Sequence, residues 1–261
     1  MSETQKYNTS LESYDNAEGA KNYIDFLNSE DGQFFRKILY ESFASRLGDA
    51  NENNSKDQKI LDVACGPGWL AADIARTWKN VEACDGSKEF INYAQRSFSH
   101  IKFSLVDLNT RLPYADNEFD TLIMSMAAHD VEDQVKTFTE LRRILKPGGK
   151  LMLTMVNPYY AFPVGVWKRG IVGRLLRRMP SLLVRPYHWL AGKDSRNFTF
   201  NKTLECYFYK LSEHLNRITE AGFSLTHMMD LESKQDSPNY NLQYRMHRFP
   251  VIIYLEFIKP A

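Results

Sequence analysis

The sequence predicts an α/β fold in which a mostly parallel sheet carries helices on both faces, with an antiparallel strand pair near the C-terminus and an inserted helical cap. Three observations predict it. From Lys59 onward short apolar runs alternate with amphipathic helical segments, the pattern of parallel strands joined by helical crossovers. Residues 157–210 break that rhythm with clustered Pro, Gly, Arg and aromatic residues. Two late strands, "FSLTHMMDL" and "FPVIIYLEFI", have no helix between them, so they must pair antiparallel or leave their edges bare.

Taken in order, the first 57 residues hold a polar start and a helix predicted over 32–47, with Phe35, Ile38, Leu39 and Phe43 on one face. "GDANENNSKDQK" follows and, nearly devoid of apolar residues, reads as a linker. "KILDVAC" is the first strand, leading to a helix with Leu70, Ile74, Ala75 and Trp78. "NVEACDG" is the second, and Ser87 is placed to cap the next helix, which buries Phe90, Ile91 and Ala94. "IKFSLVDL" and "FDTLIMSMA" supply the third and fourth strands. Val135, Phe138, Leu141 and Leu145 then mark a helix that "KPGG" ends, and "KLMLTMV" is the fifth strand. After the cap, a helix with Leu211, Leu215 and Ile218 stops at Gly222.

At 261 residues the chain can bury one large core carrying an insertion. A 13% aromatic share, above the ordinary, points to an aromatic-rich cavity or cap. The formal charge of +1 gives no overall drive toward nucleic acid, whose binding rests on neutralising phosphates. Cys65, Cys84 and Cys206 form no CxxC pair, so neither a disulfide framework nor a zinc cluster is expected, and a reducing cytoplasm is the expected location. The N-terminal residues lack a basic start followed by an apolar stretch, and no run approaches the roughly 20 apolar residues of a membrane span.

The stretch "KILDVACGPGWLA" turns a strand through Gly66 and Gly68 into a helix, which lets backbone approach a ligand closely and presents unpaired amides. Its spacing fits G-x-G-x-x-A with Ala71 last, a weak dinucleotide signal by itself. Asp62 and Pro67 argue against a dinucleotide, because an anion beside a pyrophosphate would repel it. An acid there suits a ligand that is cationic on that side; without any ligand the stretch is only a tight turn. The second strand ends at Asp85, where an acid can take both hydroxyls of a ribose or simply favour a helix start. The third ends at Asp107, able to accept from an adenine amino group, with Leu108 packing on the ring. Three acids at successive strand ends facing one crevice would be costly without a polar or cationic partner.

With "LDVACGPGWLA", "ACDGS", "VDLNTRLPYADNEFDTLIMSMAAHDVED" and "LRRILKPGGKLML" on the page, the chain resembles the class I S-adenosylmethionine-dependent methyltransferases of small-molecule, biosynthetic type. The likeness covers residues 59–156 closely and the C-terminal strand pair more loosely. It implies a Rossmann-like seven-stranded sheet, S-adenosylmethionine as cofactor and S-adenosylhomocysteine as product. Carried over by position, it makes Asp62, Ala64 and Gly66 neighbours of the methionine part and Asp85, with Gly86, the ribose site. It gives Asp107 and Leu108 to adenine and brings the backbone at Ser125 near the methionine end. In "SYDNAEGAKNY", Tyr14 and Tyr23 would close over the cofactor. Ala64 and Cys65 stand where many members have glycine, a tolerable departure that leaves Cys65 a spectator. The expected division is a helical lid segment at 1–57, a cofactor-binding core at 58–156, a cap with the acceptor pocket at 157–210, and a completing helix and strand pair at 211–261.

His129, in "AAHDVED", follows the fourth strand and is the candidate general base, with loop packing as its alternative. Asp130 and Asp133 beside it are too loosely spaced for a ligand set, so no metal is expected. "VNPYY" is similar to a base-gripping motif of amino-methylating enzymes, but it follows the fifth strand rather than the fourth. Pro158 there reads as a strand stop, and nucleic acid is not an expected partner. Tyr159, Tyr160, Trp167 and Tyr207 are candidates for an apolar acceptor pocket. Between Gly165 and Arg196 eight basic residues stand against the single acid Asp194. That stretch is a solvated face, or a contact for an anionic substrate, a carrier protein or a membrane surface. The expected activity is methyl transfer to an oxygen, nitrogen or carbon of a small metabolite. The alternatives are a cofactor-retaining protein that does not methylate and a peripheral membrane enzyme acting on a lipid or quinone.

Overall fold

A computed structural model describes residues 14–48, 57–131, 133–157, 209–231 and 252–261. In chain order the elements are α1 (Ala17–Asn28), α2 (Glu30–Ala44), β1 (Lys59–Val63), α3 (Trp69–Ala75), β2 (Asn80–Asp85), α4 (Lys88–Ser97) and β3 (Lys102–Leu105). Then come β4 (Phe119–Ser125), a 3-10 turn (Ala128–Asp130), α5 (Gln134–Ile144), β5 (Leu145–Val156), α6 (Leu211–Glu220), β6 (Ser224–Leu231) and β7 (Ile252–Ile258). The strands form one seven-stranded sheet in the order β3-β2-β1-β4-β5-β7-β6. β1 to β5 pair parallel, whereas β7 pairs antiparallel with both β5 and β6. The predicted architecture is present, apart from the cap, which lies outside the described residues except for Asn157, Tyr209 and Lys210.

Side-chain alternation along the central strands divides the core in two. Leu61, Leu122, Leu153 and Leu255 meet Phe138 and Leu141 of α5 and Ile218 of α6 on one face. Ile60, Ile123, Met152 and Tyr254 meet Leu39 and Phe43 of α2 and Ile74 of α3 on the other. Asp62 shares the parity of Ile60, so it stands on the face that the N-terminal helices cover.

Three local expectations need correction. The N-terminal segment contains a further helix, α1, whose Ala20, Tyr23, Ile24 and Leu27 stand at the helical spacing i, i+3, i+4, i+7, with Ala20 and Leu27 buried. Its start is set by Asn16, whose side chain accepts from the Gly19 amide at 2.8 Å. The next helix runs over Glu30–Ala44 rather than 32–47, because Ser29 caps it by accepting from the Gly32 amide. Finally, α5 stops at Ile144, and Leu145 already pairs with Phe119 of β4. "KPGG" therefore sits at the start of β5, where the Gly148 amide donates to the Lys259 carbonyl at 2.8 Å.

Candidate functional site

The carboxyl ends of β1, β2, β3 and β4 open into one cavity, roofed by α1 and α2. This is the crevice where open parallel sheets place ligands, because strand order reverses between β1 and β4. The structure brings ten expected residues to its wall: Tyr14, Tyr23, Asp62, Ala64, Gly66, Asp85, Gly86, Asp107, Leu108 and Ser125.

The β1 turn takes its shape from three left-handed residues, Ala64 (φ 54°), Gly66 (φ 54°) and Gly68 (φ 84°). Gly68 is also needed for space, since a Cβ there would stand 2.7 Å from the Phe103 ring. Asp62 is 1% exposed and lines the cavity, yet neither of its oxygens meets a donor at hydrogen-bonding geometry. Burial and the Asp85 charge push its pKa up to about 8, and the Ala71 amide offsets only part of that.

Asp85 is held differently. The Gly66 amide donates to Oδ2 at 2.7 Å and the Ser87 amide to Oδ1 at 2.8 Å, fixing the carboxylate across the turn. Burial raises its pKa to about 6 against the pull of these amides, and Asp130 adds to the rise. Asp107 is exposed beyond β3, where its Oδ1 accepts from the Asn109 amide at 2.9 Å. The Thr137 hydroxyl donates to the Leu108 carbonyl at 3.2 Å, tying that residue to α5.

The roof is aromatic. Tyr14, Tyr23 and Phe90 pack with ring centroids 5.4 to 5.6 Å apart. Ser87 caps α4 through the Phe90 amide and donates its hydroxyl to the Tyr14 carbonyl at 2.8 Å, so one residue fixes both the helix and the lid. Burial first, then Asp130 and Asp85, raise the Tyr23 pKa and keep the phenol protonated. Cys65 also lines the cavity; burial and the neighbouring Asp85 and Asp62 push its thiol well up, so it is no nucleophile.

The cavity is also lined by residues that the sequence did not reveal as functional. Arg36 of α2 stacks on Trp69 at 4.0 Å from the ring centroid and reaches Asp73 of α3 at 3.5 Å. A lone cation on the Phe35 and Leu39 face of α2 was the available signal. Met126 lines the floor with φ 57°, its amide donating to the Thr154 carbonyl at 2.8 Å.

His129 does not line this cavity. It is 8% exposed, its Nε2 stands 4.0 Å from the Asp130 carboxyl, and it lies near His214, whose pKa is lowered to about 3 by burial first and then by His129 and Arg217. Asp130, its neighbour, faces the cavity instead. Asp133 caps α5 by accepting from the Lys136 amide at 3.1 Å. Among the described residues no cluster of His, Cys, Asp or Glu could hold a metal, and no helix is long and apolar enough to cross a membrane. Asn157 donates to Asp230 at 3.3 Å. Tyr159, Tyr160, Trp167 and Tyr207, with the basic stretch, lie outside the described residues.

The cavity's chemistry fits the cofactor that the resemblance implies: an unpartnered buried acid for a cation, a fixed carboxylate for a diol, and an aromatic roof. Residues 61–153 match the family model described as "Methyltransferase domain". A demethylmenaquinone methyltransferase from Paenarthrobacter aurescens (strain TC1) is 28% identical over 162 residues, 62% of this chain and 58% of the relative. A fatty-acid O-methyltransferase from Mycolicibacterium smegmatis is 26% identical over 144 residues, 54% of this chain and 50% of the relative. The chain thus spans between half and three fifths of the length of these relatives. The crystal structure of an S-adenosylmethionine dependent methyltransferase from Mesorhizobium loti superposes with a TM-score of 0.59 at 19% identity, covering 85% of this chain and 97% of that one. That likeness establishes the fold.

Proposed function

We propose that this chain, whose residues 61–153 match the methyltransferase domain model, transfers a methyl group from S-adenosylmethionine to an oxygen, nitrogen or carbon of a small apolar or aromatic metabolite. The observation that carries the proposal is Asp62, a buried carboxyl with two unpartnered oxygens in the wall of the cavity. When bound, the cofactor supplies an electrophilic methyl on a positively charged sulfur. Asp62 and the Gly66 turn hold the amino-acid end, Asp85 takes the ribose hydroxyls, and Asp107 with Leu108 receives the adenine. Tyr14 and Tyr23 cover it and exclude water. The chain's contribution to rate is alignment, since holding donor and acceptor in line replaces a bimolecular encounter.

The printed activities of the relatives, on demethylmenaquinone and on fatty acids, support a small organic acceptor. A cytoplasmic enzyme meeting that acceptor at an anionic surface through the basic stretch at 165–196 is the finer form of the same proposal. Salt-sensitive binding to anionic vesicles checks it. The cofactor proposal is tested by isothermal titration with S-adenosylmethionine and S-adenosylhomocysteine: binding is expected for both, and binding of neither overturns it. Asp85→Ala should weaken both at least tenfold, about the worth of a charge-assisted hydrogen-bond pair.

A further inference from the structure

Arg36 carries more donors than the fold uses. Its guanidinium is a fork of N–H groups, yet among the described residues only Nη2 meets an acceptor, Asp73 Oδ2 at 3.5 Å, and the buried Nε has none. The side chain is 21% exposed, so it is largely withdrawn from water. Asp73 does not neutralise it, because the other oxygen of that carboxylate faces Arg76 at 3.4 Å and both cations share the one anion. Beside it the indole N–H of Trp69, also buried, lacks an acceptor. Arg36 and Trp69 both line the cavity.

The guanidinium is also held in place. It lies on the Trp69 ring, 4.0 Å from the centroid, and Phe98 packs edge-on to that indole with centroids 5.0 Å apart. A planar fork laid flat on an aromatic ring loses little freedom when it takes a carboxylate in two-pronged fashion. Phe35 and Leu39 on α2 and Leu70 on α3 line the cavity too, and their apolar surface strengthens such a pair by lowering the local dielectric. Among the described lining residues Arg36 is the one Lys or Arg, against Asp62, Asp73, Asp85, Asp107 and Asp130. That balance suits a ligand group with a single negative charge and repels a phosphate.

We propose that Arg36, steadied by Trp69, is a monoanion subsite of this cavity and that its ligand is a carboxylate. The proposal rests on the methyl-transfer reading above. Two participants in that reaction can present such a group: the amino-acid end of the cofactor, whose ammonium goes to Asp62, and an apolar acceptor that is itself an acid. Asp62 is an independent sign that a charged ligand belongs here, since its two buried oxygens have no hydrogen-bond partner. An acid and a base, each short of partners, thus stand in the wall of one cavity. Arg36 acts as a binding group in either case: it orients the molecule and exchanges no proton, because a guanidinium in a protein stays charged.

The test is isothermal titration of the full chain with two matched pairs of ligands. One pair is S-adenosylmethionine and its decarboxylated form, which keeps the ammonium and the sulfonium. The other, added with S-adenosylhomocysteine at saturation, is decanoate and its methyl ester. Arg36→Gln should weaken a carboxylate ligand at least about tenfold while moving its carboxylate-free counterpart less than about twofold, and Arg36→Lys should recover part of the loss. A loss for S-adenosylmethionine but not for its decarboxylated form assigns the subsite to the cofactor; a loss for decanoate but not for its ester assigns it to the acceptor. An equal loss for both members of a pair in a folded Arg36→Gln protein marks a merely structural role and overturns the proposal, as does no loss for either carboxylate. Failure of the wild type to bind either form of the cofactor is a different result, and it overturns the methyl-transfer proposal itself.

Discussion

Asp62 shows how one buried residue couples ligand binding to pH. Its carboxyl has a pKa near 8 in the folded chain against 3.8 as the reference value, so between these values the folded state keeps a proton that the unfolded state has released. Stability of the cofactor-free protein should therefore fall as pH rises through that window, by about 1.4 kcal/mol per pH unit for one proton. Asp85, raised to about 6, adds in the same direction over a narrower range. Chemical denaturation between pH 5 and 8 checks this: Asp62→Asn should flatten the dependence, and an equally steep curve in the variant would refute the assignment. Ala64 makes a separate point about backbone. Its φ of 54° puts a β-carbon in the left-handed region, at a cost of about 1 kcal/mol. Glycine relieves that cost but loses more freedom on folding, so Ala64→Gly should stabilise by only about 0.5 kcal/mol, measured by equilibrium unfolding.

Among the elements, the N-terminal helices are held to the sheet at two places with different physics. At the cavity, Ser87 joins α4 to the lid, and Ser87→Ala should cost about 1 kcal/mol as a lost cap. It should also weaken cofactor binding in titration, because the Tyr14 carbonyl loses its donor. Away from the cavity, Arg46 after α2 makes a two-pronged contact with Glu256 of β7, at 3.1 and 3.0 Å. Burial alone would raise the Glu256 pKa, but the Arg46 hydrogen bonds, aided by Lys150 and Tyr254, hold it below the usual range. Its contribution is thus present above the unfolded carboxyl's pKa and lost as pH falls through the lower folded value. With Arg46 a third exposed, Glu256→Gln should cost about 2 kcal/mol at neutral pH in denaturant melts, and less in acid. No loss at either pH would show that the contact contributes nothing.

At the scale of the molecule, β7 is the strand on which the second half of the sheet depends. It lies between β5 and β6, antiparallel to both, with all but its last residue buried. Deleting residues 252–261 would bare both cores at once, so circular dichroism should show no cooperative thermal transition; a sharp one would refute this dependence. The sheet was largely legible because strand and helix periods differ, and acids at the ends of β1, β2 and β3 follow from chain direction alone. Asp62, Asp85 and Asp107 could be read that way, as could Gly66 and Gly68, whose backbone requirement is local. α1 was legible too, since Asn16 is a capping residue and Ala20, Tyr23, Ile24 and Leu27 keep helical spacing. Two features were not legible, because they depend on how elements pack. Arg36 gains meaning only when α2 crosses over α3 and lays it on Trp69. His129 and Asp130 are adjacent in one tight turn, and which of them faces the cavity depends on how that turn packs against α5 and α6. Sequence by itself determined the fold class and the strand-end acids, because these rest on local periodicity and chain direction, and the cofactor they suit came from the resemblance that their motifs carry. The tertiary structure alone decided that Asp130 rather than His129 meets the cavity, because the direction of a side chain in a turn is set by the elements packed around it.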